Sequence, residues 1–301
     1  MRMNNLPSAM IILNGKQSAN PELRKAITHL RDEGHTIIVR IPWEPKDTDV
    51  FIEQALTQGI DTIVAAGGDG TINAISSALM KLPAKNRPIM GILPMGTAND
   101  FATSANIPAD IEQALALAVK GKAVEIDLGQ VNEHYYFMNM ATGGFGTRIT
   151  TETPEALKSA LGGAAYVING LLRPDTLKTD ICKIEADNFS WEGETLVVAI
   201  GNGRQAGGGQ QLTPAALIND GVLNLLIVPA RDVIPALLTN LFSSDRNQHL
   251  IEKTSTWIKI SSPHNMVLNL DGEPLSGDNF TFTLIPNALR CRLPPQCNLL
   301  L

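Results

Sequence analysis

The fold is decided by the stretch Thr62-Ile-Val-Ala-Ala-Gly-Gly-Asp-Gly-Thr-Ile-Asn73. Its apolar, β-branched start predicts a buried strand, and Ile72, Ile75 and Leu79 then recur at helical spacing. A strand, a glycine turn and a helix in this order present backbone N–H groups at the positive end of a helix, where phosphate oxygens bind. Glycines also let a ligand approach the backbone closely. A tight turn alone needs fewer glycines, so the stretch predicts a phosphate-binding loop.

Two named phosphate motifs do not describe this loop. A Walker A loop needs G-x-x-x-x-G-K-[ST], and Gly15-Lys16 lacks the rest of that pattern. The dinucleotide pattern G-x-G-x-x-G fits from Gly68 to Ile72, but Asn73 takes the place of the last glycine. Asp69 would repel a phosphate, so we expect this carboxylate either to share a cation with the phosphate or to brace the loop by accepting N–H bonds.

Charge and cysteine content narrow the class of protein. The 301 residues carry a net charge of −6, which argues against nucleic acid as a partner. Cys182, Cys291 and Cys297 have neither zinc spacing nor a disulfide pattern, so we expect no disulfide partner and a reducing cytoplasm. The run 10–13 is too short for a signal peptide, and no stretch is long and apolar enough to span a bilayer. Oligomeric state stays open.

The first 130 residues predict an α/β domain. Strands at 10–13, 36–41, 62–66 and 89–93 alternate with helices that begin near Pro21, Asp47 and Gly70, which predicts a doubly wound, Rossmann-like parallel sheet covered on both faces. Ligands of such sheets bind at the carboxyl ends of the strands. The loop 94–101 follows the fourth strand there. Its Thr97 hydroxyl can donate to a phosphate or a ribose. A plain helix cap is the simpler interpretation of this loop alone, but its position beside the first loop favours a second wall of one nucleotide site.

From residue 131 to 288 the pattern predicts a mostly-β sandwich or barrel domain. Helices at 154–172 and 233–242 interrupt it. The predicted strands are 123–128, 135–140, 182–186, 195–200, 222–228, 257–261, 266–270, 280–284 and 289–293.

Two glycine-rich segments of this half are weaker candidates. The segment 143–148 is either a functional loop or a flexible connection between strands. The segment 201–206 satisfies G-x-G-x-x-A, with Asp220 at the distance of a ribose-binding acid. Three more glycines follow where a helix must start, and Asp220 stands in an Asn-Asp-Gly turn before a strand, so we reject a dinucleotide fold here.

The loops after strands three and four together resemble the catalytic domain of the diacylglycerol kinase and sphingosine kinase family. The Gly-Gly-Asp-Gly element is shared with NAD kinases and phosphofructokinases, whereas Gly-Thr-Ala-Asn-Asp-Phe at 96–101 points to the lipid-kinase branch. By family analogy the last strand, 289–293, rejoins the first domain. The resemblance implies ATP contacts by Gly67, Gly68, Asp69, Gly70, Thr71, Ile72, Asn73 and Thr97. The family often has a nucleotide-binding Thr after strand two; Pro42 stands there in this chain, so that contact is not carried over.

The same resemblance assigns a metal site and a general base. Bacterial members that the chain resembles along nearly its whole length bind a metal at the positions of Leu217, Asp220 and Val222. Leu and Val ligate only through backbone oxygen, and turns that expose carbonyls beside a carboxylate suit hard cations. Glu273 matches the general base of the family. The plainer interpretations are a structural turn at 219–221 and a glycine hairpin at 271–272.

Taken together, the resemblance implies an ATP-dependent kinase that phosphorylates a free hydroxyl of a lipid like diacylglycerol or phosphatidylglycerol, with Mg²⁺ or Ca²⁺ as the metal. The acceptor is expected in the cleft between the two domains. The apolar stretch 156–172 could touch a membrane surface transiently, and arginines at 148, 173 and 204 could meet an anionic headgroup, although buried core and solvated surface are the plainer explanations. Three alternatives remain: a kinase of NAD or a soluble alcohol, a nucleotide-sensing regulator without turnover, and, more remotely, an NAD(P)-dependent oxidoreductase.

Overall fold

The chain divides into two compact units. A computed structural model describes residues 6–144, 179–230 and 250–301. The first unit holds the residues up to Asp127 together with Pro286–Leu300, and the second holds Leu128–Ile285 with Leu301. The predicted two-domain architecture is therefore confirmed. The helices expected at 154–172 and 233–242 lie outside the described residues.

The first unit is built on a parallel sheet. Its strands are β1 (Ser8–Leu13), β2 (Thr36–Arg40), β3 (Thr62–Gly67) and β4 (Ile89–Pro94). They lie in the order β2-β1-β3-β4, with parallel pairing at each step. β3 is buried along its whole length, as its unbroken apolar run predicts for a central strand. In this arrangement all four strands end at one edge of the sheet, where the glycine loop begins.

Within residues 6–127, five helices accompany this sheet. They are α1 (Pro21–Asp32), α2 (Asp47–Thr57), α3 (Asp69–Met80), α4 (Asp100–Ser104) and α5 (Ile111–Lys120). α1 begins as its sequence predicts, because Asn20 Oδ1 accepts the N–H groups of Glu22 and Leu23 beside Pro21. Short 3-10 turns occupy Gly15–Gln17 and Ala84–Asn86. Within the described ranges, no helix combines the length and apolar character that crossing a bilayer requires.

The second unit is β-rich and antiparallel. Its strands are β5 (Ala123–Val131), β6 (Tyr135–Phe137), β7 (Met140–Gly144), β8 (Asp180–Ala186), β9 (Phe189–Gly201), β10 (Gln205–Ala206), β11 (Gln210–Gln211), β12 (Leu223–Pro229), β13 (Ile251–Ser255), β14 (Trp257–Leu270) and β15 (Glu273–Arg292). The first and last of them, β5 and β15, also run into the first unit. Neighbours in the order β13-β12-β9-β7-β14-β15 are hydrogen-bonded, and β8 pairs with both β9 and β14.

Alternation along β9 explains how this unit is packed. Val198 and Ile200 belong to one apolar cluster, whereas Val197 and Ala199 belong to another. Because successive side chains of a strand point to opposite faces, the second half of β9 is buried on both sides. The run 196–200 is accordingly continuous in apolar residues and shows no polar alternation.

Several predicted strand boundaries are wrong; the strands expected at 257–261 and 266–270, for example, are parts of the single strand β14. The strand expected at 135–140 is split into β6 and β7, because the N–H groups of Met138 and Asn139 turn to the Asp271 carboxylate. The strand expected from Val222 begins one residue later, because the Val222 N–H bonds to Asp220. The strands expected at 280–284 and 289–293 are parts of the single strand β15, whose Cys291 pairs in parallel with Met90 of β4.

Candidate functional site

The glycine loop begins where β3 ends. Gly68 is extended, with φ −93 and ψ −169, and its carbonyl accepts the N–H groups of Thr71 at 2.9 Å and Ile72 at 3.1 Å. α3 therefore starts directly at Asp69. A β-carbon on Gly67 would lie 2.3 Å from Thr71 Oγ1, so the side chain of Thr71 occupies the space that any larger residue at 67 would need.

The loop after β4 packs directly on the first one. A β-carbon on Gly96 would lie 2.4 Å from Gly68 Cα, which means that the two backbones touch. The Met95 N–H donates to the Gly67 carbonyl at 2.9 Å. Asn99 fixes the second loop from within, since its side chain accepts from the Gly96 N–H at 2.9 Å and donates to the Gly96 carbonyl at 3.0 Å. The two loops thus form one joined backbone surface.

Asp69 supplies a further link between the loops. Its two carboxylate oxygens accept the N–H groups of Asp100 and Phe101, each at 3.2 Å. These groups open α4, whose own N-cap residue Asn99 is left-handed and makes no side-chain cap bond. A carboxylate at the positive end of a helix is favourable. Of the two roles that the sequence allowed for Asp69, the structure displays the bracing one.

The predicted nucleotide contacts differ in exposure. Thr97 is exposed, and Gly68, Asp69, Gly70 and Thr71 are partly exposed. Ile72 and Asn73 have buried side chains, with exposed fractions of 1% and 6%. A ligand on this surface would therefore meet backbone, glycines and threonine hydroxyls.

Loops after β1 and β2 join the same edge of the sheet. Gln17 Nε2 donates to the Met95 carbonyl at 3.0 Å, and the Asn14 N–H donates to the Ala66 carbonyl at 2.9 Å. A β-carbon on Gly15 would be 3.5 Å from the Ile41 side chain, an ordinary contact. The role of Gln17 is not evident from the sequence, because a glutamine in a short turn carries no signal of its distant partner.

Glu273 stands beside a hairpin turn in the second unit. Asp271 and Gly272 both have positive φ, 49 and 105, and Leu270 pairs with Glu273 across the turn. This is the two-residue hairpin that the Asp-Gly pair predicts. Glu273, the first residue of β15, is exposed.

Asp271 anchors this hairpin more firmly than the turn pattern requires. Its carboxylate accepts three consecutive backbone N–H groups, from Met138 at 2.6 Å, Asn139 at 3.1 Å and Met140 at 2.7 Å. Bonds to an ionised acceptor are about twice as strong as neutral ones. In the sequence, Asp271 is recognisable only as a turn residue. Its carboxylate holds a segment more than 130 positions away, and nothing local reveals that partner.

The predicted metal residues form a turn before β12. Gly221 has φ 80, and the Val222 N–H donates to Asp220 Oδ1 at 3.1 Å. Leu217, Asp220 and Val222 are all partly exposed. Two backbone carbonyls and one carboxylate are the oxygen donors that Mg²⁺ and Ca²⁺ prefer, so the donor set fits such an ion. In the described ranges no three His, Cys, Asp or Glu side chains cluster to hold a metal.

The remaining candidates of the second half contact backbone groups or lie in strands where they are described. The hairpin of β10 and β11 stands where a dinucleotide fold would need a helix. The Gly203 N–H donates to the Asn139 carbonyl at 2.7 Å, and Arg204 Nε donates to the Ala216 carbonyl at 2.8 Å. Gly143 lies in β7. Residues 145–148, the apolar stretch 156–172 and Arg173 lie outside the described residues.

Comparisons with known proteins agree along nearly the whole chain. The family model of the diacylglycerol kinase catalytic domain matches residues 8–131, and that of the YegS C-terminal NAD kinase beta sandwich-like domain matches residues 140–292. A Yersinia enterocolitica protein named "Probable lipid kinase YegS-like" is 58% identical over 98% of this chain and 100% of its own length. A protein of the same name from Yersinia pestis is 57% identical with the same coverage. The solved structure of a diacylglycerol kinase from Bacillus anthracis has the same fold, with a TM-score of 0.72 at 20% identity, over 97% of this chain and 98% of that one.

Proposed function

Because the chain belongs to the family of YegS-like lipid kinases with a diacylglycerol kinase catalytic domain, we propose that it transfers the γ-phosphate of ATP to a free hydroxyl of a membrane lipid. A kinase with an alcohol acceptor is what the family membership establishes. Beyond this, we propose that the phosphate donor is ATP and that the acceptor resembles diacylglycerol or phosphatidylglycerol.

The contact between Gly68 and Gly96 is the single observation that carries the nucleotide half of the proposal. It places two glycine loops and the start of α3 side by side at the carboxyl edge of the sheet. Such a surface offers backbone N–H groups to phosphate oxygens without side chains in the way. In this proposal Gly67, Gly68, Gly70 and Thr71 meet the phosphates, with Thr97 beside them, while Ile72 and Asn73, which are buried within α3, support the loop from behind.

Glu273 is the proposed general base. An exposed carboxylate at the first residue of a strand can accept a proton without disturbing packing. In phosphoryl transfer the protein mainly positions the acceptor oxygen and balances charge, and a base that takes the hydroxyl proton assists the attack on phosphorus. Asp271 would keep Glu273 in place, since its three backbone bonds fix the turn before it.

A divalent cation completes the proposal. Leu217 and Val222 would hold it through their carbonyls and Asp220 through its carboxylate, and such an ion, when bound, supplies positive charge and local order. Mg²⁺ and Ca²⁺ both suit this donor set. Because a lipid acceptor lies in a bilayer, we also propose that the protein acts from the cytoplasm in transient contact with a membrane surface.

One assay separates the proposal from its alternatives. The purified protein is incubated with γ-labelled ATP and Mg²⁺, and with detergent-dispersed diacylglycerol, phosphatidylglycerol, NAD or glycerol. The proposal expects label in a lipid product. Label in NAD or glycerol alone would identify a soluble acceptor instead. Nucleotide binding without label in any product would indicate a regulator and overturn the proposal.

A further inference from the structure

One aromatic side chain of the first unit is exposed to an unusual degree. The Trp43 ring, in the short connection between β2 and α2, is 93% exposed. The other tryptophans are placed differently: Trp257 donates its ring N–H to Asp187 at 2.6 Å, and Trp191 packs against the core of the second unit. Single exposed apolar residues are common, so exposure alone assigns no role to Trp43.

The backbone that carries Trp43 is firmly anchored. Asp47 Oδ2 accepts the N–H of Trp43 at 2.8 Å and that of Glu44 at 3.0 Å. These backbone bonds, with Glu44 and then Trp43 as the largest causes, lower the pKa of the Asp47 carboxyl, which keeps it ionised and accepting at neutral pH. The ring is therefore presented from a fixed loop, and binding a flat ligand there would cost little backbone ordering.

The loop that carries Trp43 follows β2 at the same edge of the sheet as the phosphate-binding loop. In the sheet, Ile12 of β1 is paired with Arg40 of β2 on one side and with Ala65 of β3 on the other. Two strand spacings, about 10 Å, therefore separate the carboxyl ends of β2 and β3. That is close to the span from the base to the terminal phosphates of a nucleoside triphosphate.

A series of contacts bridges this interval. The side chain of Ile41 lies against Gly15, and Gln17 in the same turn bonds to the Met95 carbonyl, whose N–H holds Gly67. Trp43 thus stands two residues beyond one end of a connected surface, and the glycine loop stands at the other end.

We propose that the Trp43 ring is the stacking platform for the purine base of the nucleotide whose phosphates the loop 67–73 binds. This inference rests on the proposed function and adds the residue that recognises the base. Stacking tolerates every base, because every base has a π-face. The site would therefore bind ATP and GTP with similar affinity unless other groups select between them.

The experiment compares Trp43→Ala and Trp43→Phe with a matched control, Trp257→Phe in the second unit. Binding of ATP, ADP and inorganic tripolyphosphate is measured by calorimetry or by competition, in the presence of Mg²⁺. We expect Trp43→Ala to weaken the binding of ATP and ADP about 5- to 100-fold and to leave the affinity for tripolyphosphate unchanged. Trp43→Phe should retain most of the affinity, and the control should behave like wild type. ATP should also quench tryptophan fluorescence in wild type and in the control, but not in Trp43→Phe.

Several results would contradict the inference. Unchanged ATP affinity in Trp43→Ala, or an equal loss for ATP and tripolyphosphate, would overturn base stacking. Loss of binding to vesicles of anionic phospholipid, with ATP affinity intact, would assign the ring to a membrane interface and overturn the inference as well. If wild type phosphorylates lipid while Trp43→Ala keeps its ATP affinity, only the inference fails. If ATP binding depends on Trp43 but no acceptor is phosphorylated, only the proposed function fails.

Discussion

Gly68 and Gly96 come from loops that follow different strands, and their backbones are in direct contact. A β-carbon on Gly96 would lie 2.4 Å from Gly68 Cα, whereas one on Gly68 would lie 3.1 Å from Gly96 Cα. The contact explains why each loop has a glycine at this point independently of any ligand. It also means that the shape of the phosphate-binding surface depends on two residues that have no side chain to contribute.

Alanine substitutions at these two glycines should have unequal effects. Gly96→Ala forces a carbon into the opposing backbone, so we expect it to lower the free energy of unfolding by about 1–3 kcal/mol and to weaken ATP binding. Gly68→Ala makes the longer contact, so it should lower the free energy of unfolding by less. Gly15→Ala, whose β-carbon would meet Ile41 at 3.5 Å, is the matched control for stability. Urea unfolding and ATP titration measure both quantities. Equal losses at Gly68 and Gly96 would contradict this account.

Asp69 gives a second prediction, because its bracing and metal-binding roles have different consequences. Asp69→Asn keeps one oxygen acceptor and loses the other, so α4 loses one of its two bonds to the loop. We expect the free energy of unfolding to fall by about 1–3 kcal/mol. ATP affinity should fall as well, while the Mg²⁺ concentration for half-maximal activity stays the same.

The matched control for this prediction is Asp110→Asn. Asp110 caps α5 by accepting the Gln113 N–H at 2.9 Å, and asparagine caps a helix as well as aspartate does. The control should therefore keep its stability. If Asp69→Asn raised the Mg²⁺ requirement strongly and left unfolding unaffected, Asp69 would be a metal ligand and the bracing account would be wrong.

The sequence predicts the elements of the first unit well, because their signals are local. The cap at Asn20 with Pro21 and the apolar run of β3 each determine an element within a few residues. Strand ends in the second unit are less predictable. Met138 and Val222 leave the expected strands because Asp271 and Asp220 accept their N–H groups, and a propensity pattern does not register such competition.

In the candidate site, too, local features could be predicted from the sequence and contacts between distant segments could not. The glycine loop could be identified from its own residues, as could the hairpin at Asp271. The mutual contact of Gly68 and Gly96, and the bonds from Asp69 to α4, join segments about 30 residues apart. No pattern within either segment encodes the other, so their association emerges only when parallel strands bring their ends to one edge of the sheet.

The proposed catalytic role of Glu273 should be independent of the stability of the hairpin in which it lies. Glu273→Gln removes the proposed base from an exposed position, so we expect kcat to fall about 10²- to 10⁴-fold, with unfolding and ATP affinity unchanged. Glu252→Gln, at another exposed glutamate of the same unit, is the matched control and should keep full activity. Lipid phosphorylation under saturating ATP measures the difference.

Asp271→Asn provides the contrast. The asparagine side chain keeps one oxygen acceptor but turns donor hydrogens toward the N–H of either Met138 or Met140, so this variant should lose both stability and activity. Normal turnover in Glu273→Gln would remove that residue from the chemistry, whatever the behaviour of Asp271→Asn.

The last prediction concerns acid stability and depends on Asp187. Its carboxylate accepts from Ser255 Oγ, from the N–H and hydroxyl of Thr256, and from the Trp257 ring at 2.6 Å. These bonds, that from Ser255 first, lower the pKa of Asp187 below its usual value of 3.8. A carboxyl whose pKa is lower in the folded state stabilises the fold above its unfolded pKa, and this contribution is lost as pH falls through the folded value.

We therefore expect Asp187→Asn to lower the Tm at neutral pH, and the difference from wild type to shrink as the pH falls below 3.8. Trp257 reports the same event, because protonation of Asp187 weakens the bond from its ring and should change the tryptophan emission of the folded protein. Asp278→Asn, at an exposed aspartate of the same unit, is the matched control for the loss of one negative charge. Scanning fluorimetry between pH 3 and pH 8 tests both variants. A Tm difference for Asp187→Asn that stayed constant or grew toward acid pH would show that its carboxylate is not held by these donors.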